Sequence, residues 1–329
     1  MILTLPVLQI LKKNYPEAEI DFLCIPKSSG LLKNNPHVSE VIMYDKRNTG
    51  TINFMKLVRY LKSKKYDLII SPHRSFRSSL ICKLSSAIKT VSFNKSSFSF
   101  LYDARVVYQN DIHEIQRNLK LLEPIEIIEN KIIKPELFPS IKDKEKIDVL
   151  FSDRSPVPGE KIIAIAPGSV WFTKRFPKEK FVKFCDLLQS QAVRIFLIGG
   201  VDDRNLCEYI LEKTTNKNII STAGRLSILE SAELIKRATL LITNDSAPLH
   251  VANSVGTEVI CIYGATVPAF GFYPTGANDI IVETDGLSCR PCSIHGGHKC
   301  PIGTFVCMLN IREKSIADAV RNSLSQTLA

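Results

Sequence analysis

The chain has 329 residues, of which 45% are hydrophobic and 23% charged, a composition that excludes an intrinsically disordered or collagen-like protein. No apolar run reaches the roughly 18 residues of a membrane-spanning helix, and the first residues lack the features of a signal peptide, so we expect a cytoplasmic protein. The net charge of +10 is uneven: residues 1–150 hold 24 basic and 16 acidic residues, against 19 and 17 in residues 151–329. The basic first part predicts an anionic partner, which could be nucleic acid, a phosphorylated substrate or an acidic membrane surface.

Short apolar runs alternate with amphipathic segments along the first half of the chain, a pattern typical of α/β folds with parallel sheets. This pattern predicts strands at residues 20–25, 41–44, 67–70 and 90–93. Helices are expected at residues 6–14, 54–63, 78–85 and 113–122. Between residues 124 and 158 the periodicity fades and prolines recur among charged residues, which indicates an interdomain segment.

The alternation restarts in the second half and predicts a second parallel sheet with crossover helices. Strands are expected at residues 162–166, 194–198, 219–221, 240–243, 259–263 and 280–282. Ser227 and Glu230 form a capping box, which opens a helix that runs to Ala238. The chain should therefore fold into two similar α/β domains, residues 1–158 and 159–329.

The segment Thr-Asn-Asp-Ser-Ala-Pro-Leu-His at residues 243–250 joins a predicted strand to a predicted helix. Asp245 or Ser246 can cap this helix, and Pro248 suits its first turn. The free backbone N–H groups at the start of such a helix favour a phosphate. An ordinary capped turn would explain the same residues, but it gives no reason for His250 one turn into the helix.

Two further strand ends carry residues suited to a nucleotide diphosphate. Residues 166–177 include the only Trp, and Lys174 and Arg175 follow it; residues 199–203 begin with two glycines and contain Asp202, a candidate ribose ligand. Surface charges and plain turns would explain each segment alone, but the carboxyl ends of parallel strands share one edge of a sheet. Neither the G-x-G-x-x-G fingerprint nor a phosphate-binding P-loop is present, which disfavours a dinucleotide dehydrogenase or a P-loop ATPase.

The order of these motifs resembles glycosyltransferase family 9, the ADP-heptose:lipopolysaccharide heptosyltransferases. In the first domain the likeness covers Thr-Leu-Pro-Val-Leu at 4–8, Tyr-Asp-Leu-Ile-Ile at 66–70, Arg77, and His113 with Arg117. In the second domain it covers residues 167–177, 198–203, 223–227, 243–252 and 263–266, so that it spans nearly the whole chain. Residues around Asp245 are the most specific part.

The resemblance implies a GT-B architecture, in which two Rossmann-like parallel-sheet domains face a cleft. The C-terminal domain would bind ADP-heptose and the N-terminal domain the acceptor, and heptose would be transferred with inversion at its anomeric carbon. Lys174 and Asp245 would be the catalytic residues, because Lys174 and the helix after Asp245 would stabilise the departing ADP without a metal or cofactor. The implied donor-binding residues are Ser169, Asp202, Leu226, Ser246, Ala247 and His250.

The resemblance also identifies the anionic partner of the basic first domain. This partner would be the phosphorylated lipopolysaccharide inner core, of the Kdo-lipid A type, reached by peripheral contact with the inner membrane face. Arg74 and Arg77 are the candidate acceptor contacts, since they follow the strand predicted at residues 67–70. A nucleic-acid partner is not expected, because residues 51–100 show few aromatic residues interleaved with their ten basic ones.

The sequence departs from the family at two places. The family's first strand and Gly-Asp turn, whose Asp is the proposed base, align immediately before Met1, so we hypothesise that Met1 is an internal methionine. Ala247 stands where the family usually has Gly, which adds a methyl group near the expected phosphate. A catalytically silent sugar-nucleotide-binding protein is therefore the alternative, as is another donor sugar. The sequence separates neither the first from the second heptosyltransferase nor one oligomeric state from another.

Four cysteines near the C-terminus, Cys289, Cys292, Cys300 and Cys307, surround two histidines. The first pair has the spacing of a zinc knuckle, but the second pair is too widely spaced for a usual zinc ribbon. Similar cysteines occur in this loop of family relatives. Free thiols that pack a loop near the cleft are the expectation, and a zinc site is the alternative.

Overall fold

The computed structural model describes residues 1–45, 50–152 and 159–326. The chain forms two compact units, Met1–Pro135 and Glu136–Ala329. The first unit ends earlier than the boundary expected at residue 158, and that residue lies outside the described ranges. None of the described helices is long and apolar enough to cross a membrane.

The first unit contains every strand and helix that the sequence predicts for it, with bounds shifted by a few residues. Its strands are β1 Asp21–Cys24, β2 Glu40–Met43, β3 Leu68–Ser71, β4 Lys89–Phe93 and β5 Ala104–Val106. Its α-helices are α1 Leu5–Asn14, α2 Pro26–Ser29, α3 Thr51–Lys64, α4 Phe76–Leu84 and α5 Glu114–Leu119, and a 3₁₀ helix continues α5 over Lys120–Ile125. Strand β5 was not predicted, because three residues are too few to show an alternating pattern.

The strands of the first unit are divided between two parallel sheets. One sheet is β1-β2, with Asp21 opposite Glu40, and the other has the order β3-β4-β5. Within the described residues β1 and β3 are not hydrogen-bonded to each other. Tyr66, just before β3, donates a hydrogen bond of 2.6 Å to the Asp21 carboxylate of β1. Helices α3 and α4 pack with β2 around a buried cluster of Ile42, Leu57, Leu61 and Ile81.

The second unit is built on one six-stranded parallel sheet with the order β11-β10-β9-β6-β7-β8. Its strands are β6 Lys161–Ala166, β7 Val193–Leu197, β8 Ile219–Ser221, β9 Leu240–Asn244, β10 Glu258–Ile262 and β11 Ile280–Val282, so all six predicted strands are confirmed. Its helices are α6 Ile141–Ser152, α7 Lys178–Leu187, α8 Arg204–Lys213, α9 Ile228–Arg237, α10 Ala247–Val255, α11 Val306–Leu309 and α12 Glu313–Gln326. Chain order reverses between β6 and β9, which is where open parallel sheets bind ligands.

Two helices of this unit show how local sequence fixes an element. The capping box predicted for α9 is confirmed: Ser227 Oγ accepts from the Glu230 N–H at 3.2 Å, and the Glu230 carboxylate accepts from the Ser227 N–H at 2.6 Å. Helix α6 was missed because its apolar face is narrow, with Ile147 as its fully buried hydrophobic residue. Lys146 of α6 also pairs with Glu230 at 2.9 Å, which fastens α6 to α9.

Candidate functional site

The predicted meeting of two strand ends is confirmed at the point where chain order reverses. Asn244, the last residue of β9, donates a hydrogen bond of 2.8 Å to the Pro167 carbonyl after β6. The Asn244 side-chain oxygen accepts another, of 2.9 Å, from the Phe176 N–H. Because Asn244 is completely buried, these bonds fix both ends of the 167–176 turn against the start of the 245–250 segment. Sequence reasoning did not single out Asn244.

A largely buried ion pair lies at this edge of the sheet. Lys174 Nζ is 2.6 Å from Asp245 Oδ2, and their side chains are 13% and 8% exposed. Thr266, which follows β10, donates its hydroxyl to the same oxygen at 2.6 Å. The structure therefore brings together the two residues expected to be catalytic and adds Thr266, which the sequence signalled only as part of the 263–266 motif.

The expected cap of α10 takes a different form. Asp245 does not occupy the N-cap position, which belongs to Ser246, and the Ser246 side chain makes no capping hydrogen bond. Its hydroxyl lies 3.4 Å from the Thr243 hydroxyl instead. Pro248 lies in the first turn of α10, as predicted. A serine side chain at the N-cap usually accepts a hydrogen bond from one of the first backbone N–H groups of a helix. In α10 the Ser246 side chain accepts none.

Neutral groups surround the ion pair on the side of β10. Burial, followed in importance by the Asp245 carboxylate, raises the pKa of the Cys261 thiol well above its usual value. Burial also raises the pKa of the Tyr263 hydroxyl, with further contributions from Cys261 and Asp245. Both groups stay protonated at neutral pH, so Lys174 is the charge that balances Asp245 there.

The loop that carries the cysteine cluster packs against the segments that hold the ion pair. The Arg290 guanidinium donates to the carbonyls of Gly264 at 2.5 Å and Thr266 at 2.8 Å, and it also pairs with Glu283. Gly296, at φ +86°, packs so closely that an added Cβ would lie 2.9 Å from Lys174 Cγ. The Gly296 contact confines the Lys174 stem, and Arg290 holds the segment that carries Thr266; sequence reasoning anticipated neither.

The side chain that packs against the glycines after β7 is that of Asp203, not that of Asp202. A Cβ on Gly168 would overlap the Asp203 carboxylate, and one on Gly199 would lie 2.6 Å from Asp203 Cβ. The Gly200 N–H donates to the same carboxylate at 2.9 Å. Asp202 is exposed in the adjoining 3₁₀ turn, Val201–Asp203. Glycine is thus required at residues 168 and 199 by a neighbouring carboxylate, a reason that the sequence did not reveal.

The other expected donor-binding residues lie on segments that follow the carboxyl ends of strands. Ser169 is half-buried after β6, and its carbonyl accepts a hydrogen bond of 2.6 Å from Arg175 Nε. Leu226 is half-buried between β8 and α9. Ala247 is the exposed first residue of α10, and His250 is half-buried one turn further on. Their roles toward the donor stay predictions.

The cysteine cluster lies on the loop after β11. Cys289, Cys292 and Cys300 are half-buried, and Cys307 is buried in α11. Across the described ranges, no group of three or more His, Cys, Asp or Glu residues is arranged to hold a metal ion. The Phe305 N–H donates to Cys300 Sγ and lowers the pKa of that thiol, whereas burial raises the pKa of Cys292 and of Cys307.

In the first unit the two expected acceptor contacts follow β3, where the sequence predicts them. Arg74 precedes α4, and Arg77 lies in the first turn of that helix. The Arg74 guanidinium carbon is 4.1 Å from the Tyr108 ring centroid, and the buried Arg117 guanidinium is 4.7 Å from it. Lys95 Nζ lies 5.6 Å from the same centroid. Three cations therefore gather around one aromatic ring.

Comparison with known proteins was made for sequence and for fold. The model of "Glycosyltransferase family 9 (heptosyltransferase)" matches residues 54–298. The chain is 28% identical over 288 residues to the "Lipopolysaccharide heptosyltransferase 3" of Escherichia coli K12, which covers 82% of this chain and 80% of that protein. It is 26% identical over 286 residues to the "Lipooligosaccharide heptosyltransferase 2" of Haemophilus influenzae, covering 82% and 81%.

Two solved structures share the fold over nearly their whole length. The glycosyl transferase family 9 protein of Veillonella parvula aligns with a TM-score of 0.86 at 22% identity, covering 99% of this chain and 94% of that one. The E. coli ADP-heptose lps heptosyltransferase II aligns with a TM-score of 0.81 at 21% identity, covering 100% and 96%. The predicted fold class, GT-B with two Rossmann-like domains, is thereby confirmed.

Proposed function

Because the chain belongs to glycosyltransferase family 9, the heptosyltransferases, and is therefore a glycosyltransferase, we propose that it transfers heptose from ADP-heptose to the lipopolysaccharide inner core. The observation that carries the proposal is the placement of Lys174 and Asp245, 2.6 Å apart, beside the start of α10 and at the reversal of strand order. Relatives named as lipopolysaccharide heptosyltransferases support this choice of donor and acceptor.

The diphosphate of the donor binds where positive electrostatic potential is concentrated. An ammonium group has three donor hydrogens, so Lys174 can hold Asp245 with one and a phosphate oxygen with another. The start of α10 adds its dipole and its N–H groups, which the Ser246 side chain does not cap. The Asp245 carboxylate fixes the direction of the Lys174 ammonium group, and the Thr266 hydroxyl holds that carboxylate in place. Lys174 also offsets the negative charge of Asp245, which alone would repel the diphosphate.

The reaction is an in-line displacement at the anomeric carbon of heptose. An acceptor hydroxyl forms the new C–O bond on one face and gives up its proton to solvent water, while the bond to the diphosphate oxygen breaks on the other face and the departing ADP keeps the bonding electron pair. Lys174 and the N-terminal dipole of α10 stabilise the charge that develops on that oxygen, without a metal. Because attack and departure are on opposite faces, the anomeric configuration inverts.

The second domain takes the donor and the first domain takes the acceptor. Ser169, Ser246, Ala247 and His250 would contact the diphosphate, whereas Asp202 and Leu226 would contact the ribose and adenine. In the first domain Arg74 and Arg77 would pair with acidic groups of a Kdo-lipid A type acceptor. Since that acceptor is a membrane lipid, we place the protein peripherally at the cytoplasmic face of the inner membrane.

The proposal is tested by measuring ADP release from purified full-length protein with ADP-heptose and a Kdo-lipid A acceptor, beside a panel of other nucleotide sugars. We expect ADP-heptose to be the preferred donor. Lys174→Gln should lower turnover about 100-fold or more, whereas Lys183→Gln, an exposed cation on α7, should not change it. Equal turnover of Lys174→Gln and the parent protein would contradict the site. Tight donor binding without transfer would instead identify a silent sugar-nucleotide-binding protein.

A further inference from the structure

Three phenylalanine rings form a contiguous exposed surface on the first unit, which we call the phenylalanine patch. Phe76, Phe98 and Phe100 are 50%, 47% and 68% exposed. The ring centroids of Phe76 and Phe98 are 4.9 Å apart, and those of Phe98 and Phe100 are 5.7 Å apart. Together the rings present about 300 Å² of aromatic surface to solvent. Single exposed apolar residues need no explanation, whereas a contiguous apolar patch of about this size is often functional.

The patch is built on two loops that are fastened to each other. Phe76 begins α4, after β3, while Phe98 and Phe100 lie on the segment after β4, so all three rings lie near the carboxyl edge of one sheet. The Ser97 N–H donates to the Arg74 carbonyl at 3.0 Å, and the Ser79 hydroxyl donates to the Ser97 carbonyl. The rings are therefore held in place and do not depend on a loose loop.

Phe98, at the centre of the patch, has an unusual backbone conformation. Phe98 has φ +54° and ψ +44°, the left-handed region that a bulky residue rarely adopts. Such a conformation persists where the surrounding contacts impose it, and it is often linked to function. Here its result is that the Phe98 ring packs between Phe76 and Phe100 while almost half of it remains exposed.

Basic side chains accompany the patch. Arg74 and Lys95 both lie within 6 Å of the Tyr108 ring, and each is only a few residues from a patch phenylalanine. The surrounding segment, residues 51–100, contains ten basic residues and a single acid. Aromatic rings beside cations, on a chain segment nearly free of acids, fit the interface of an anionic bilayer, where rings enter the headgroup region and cations contact acidic lipids.

We propose that the phenylalanine patch docks the first unit on an anionic phospholipid surface, with Arg74 and Lys95 contacting the headgroups. The charge beside the rings favours a lipid partner over an apolar protein groove, since a groove would gain nothing from Arg74 and Lys95. The inference deepens the proposed function, because a lipid-linked acceptor would then be presented at the carboxyl edge that carries Arg74. Vesicle binding requires neither donor nor acceptor, so it can fail while heptose transfer holds.

The test is co-sedimentation of the full-length protein with vesicles of phosphatidylcholine alone or with about 30% phosphatidylglycerol, at low and at high salt. We expect salt-sensitive binding to the anionic vesicles. A triple variant, Phe76→Ser with Phe98→Asn and Phe100→Ser, should bind at least about tenfold more weakly; Asn is chosen at 98 because it tolerates a positive φ. Lys95→Gln should weaken binding about fivefold.

Matched controls lie on the opposite edge of the same sheet. Ile88→Ser removes a residue that is 78% exposed just before β4, and Lys62→Gln removes an exposed cation from the last turn of α3. Both should bind like the parent protein. No binding by the parent protein, or binding by the triple variant equal to that of the parent, would overturn the proposal.

A second measurement does not depend on loss of binding. Phe100→Trp places a fluorophore in the patch, and brominated phosphatidylglycerol vesicles should quench it more than they quench the parent protein, whose single Trp171 lies in the second unit. Quenching that is no greater in Phe100→Trp than in the parent would show that the patch stays in water. That result would equally overturn the proposal, because Phe100→Trp replaces one exposed aromatic ring with another and keeps the apolar surface of the patch.

Discussion

The ion pair of Lys174 with Asp245 gives a prediction that separates its structural role from its chemical role. Lys174→Gln leaves a largely buried carboxylate that the Thr266 hydroxyl still holds but that no cation balances. Breaking a fully buried pair costs about 3–5 kcal/mol, and the partial exposure of Lys174 lowers the expected loss of unfolding free energy to about 2–3 kcal/mol. Asp245→Asn should cost about 1–2 kcal/mol, because the freed ammonium group can turn toward solvent.

The double variant separates the contribution of the ion pair to stability from its contribution to turnover. With Lys174→Gln and Asp245→Asn together, no unpaired charge remains, so the loss should fall to about 1 kcal/mol, an interaction energy of about 2 kcal/mol or more between the two sites. Turnover should not recover: it should stay about 100-fold below that of the parent protein, because the cation that stabilises the leaving ADP is still missing.

Urea unfolding followed by fluorescence of the single Trp171 measures these free energies with a probe in the second unit, since Trp171 lies in its 167–176 turn, with its ring centroid 4.8 Å from that of His298. ADP release gives the activities. Additive free-energy losses in the double variant would refute the electrostatic coupling. Recovery of turnover in that variant would refute the assignment of Lys174 to the leaving group.

Three further predictions concern residues around the same edge of the sheet. Gly168→Ala should weaken donor binding and lower the free energy of unfolding by about 1–3 kcal/mol, because the added methyl group overlaps the Asp203 carboxylate. The methyl group of Gly200→Ala would lie 3.9 Å from the same carboxylate, so this variant should bind the donor like the parent protein in calorimetry. Thr266→Val, nearly isosteric, should lower kcat more than it raises KM, and Thr266→Ser should restore it; equal values for both variants would contradict a role for the hydroxyl. Iodoacetamide near pH 8 should label Cys300 before Cys292, since the pKa of the first thiol is lowered and that of the second raised; peptide mass spectrometry that finds the reverse order would contradict this.

The sequence predicted strands and motifs better than the contacts between them. Apolar runs located all six strands of the second sheet, and the family resemblance singled out Lys174 and Asp245, which the structure brings together. That these two side chains touch could not be predicted, because it follows from the side-by-side placement of β6 and β9, which are separated by more than 70 residues. Asn244 and Thr266 were overlooked for the same reason: the role of a buried polar residue depends on its hydrogen-bond partners, which are distant in the sequence.

Errors in the prediction also have physical causes. Helix α6 was read as part of an irregular linker, because a helix that buries little beyond Ile147 shows a weak pattern; ion pairs also link it to α9. The packing of Asp203 on Gly168 was not predicted, whereas the expected contact of Asp202 with the ribose stays a prediction. Adjacent identical residues cannot be distinguished before the direction of the turn between strand and helix is known.

The division of the first unit's strands between two small sheets makes the two halves of the protein unequal in cooperativity. Strands β1 and β3 each have one paired edge and are mostly half-buried, whereas β6, β7 and β9 of the second unit are paired on both edges and nearly completely buried. Protection of backbone amides from exchange follows pairing and burial. The unit that carries the phenylalanine patch should therefore open locally at low free energy, while the sheet that carries Lys174 and Asp245 opens only by unfolding as a whole. The protein thus combines a first unit that opens readily with a second unit whose central sheet stays closed.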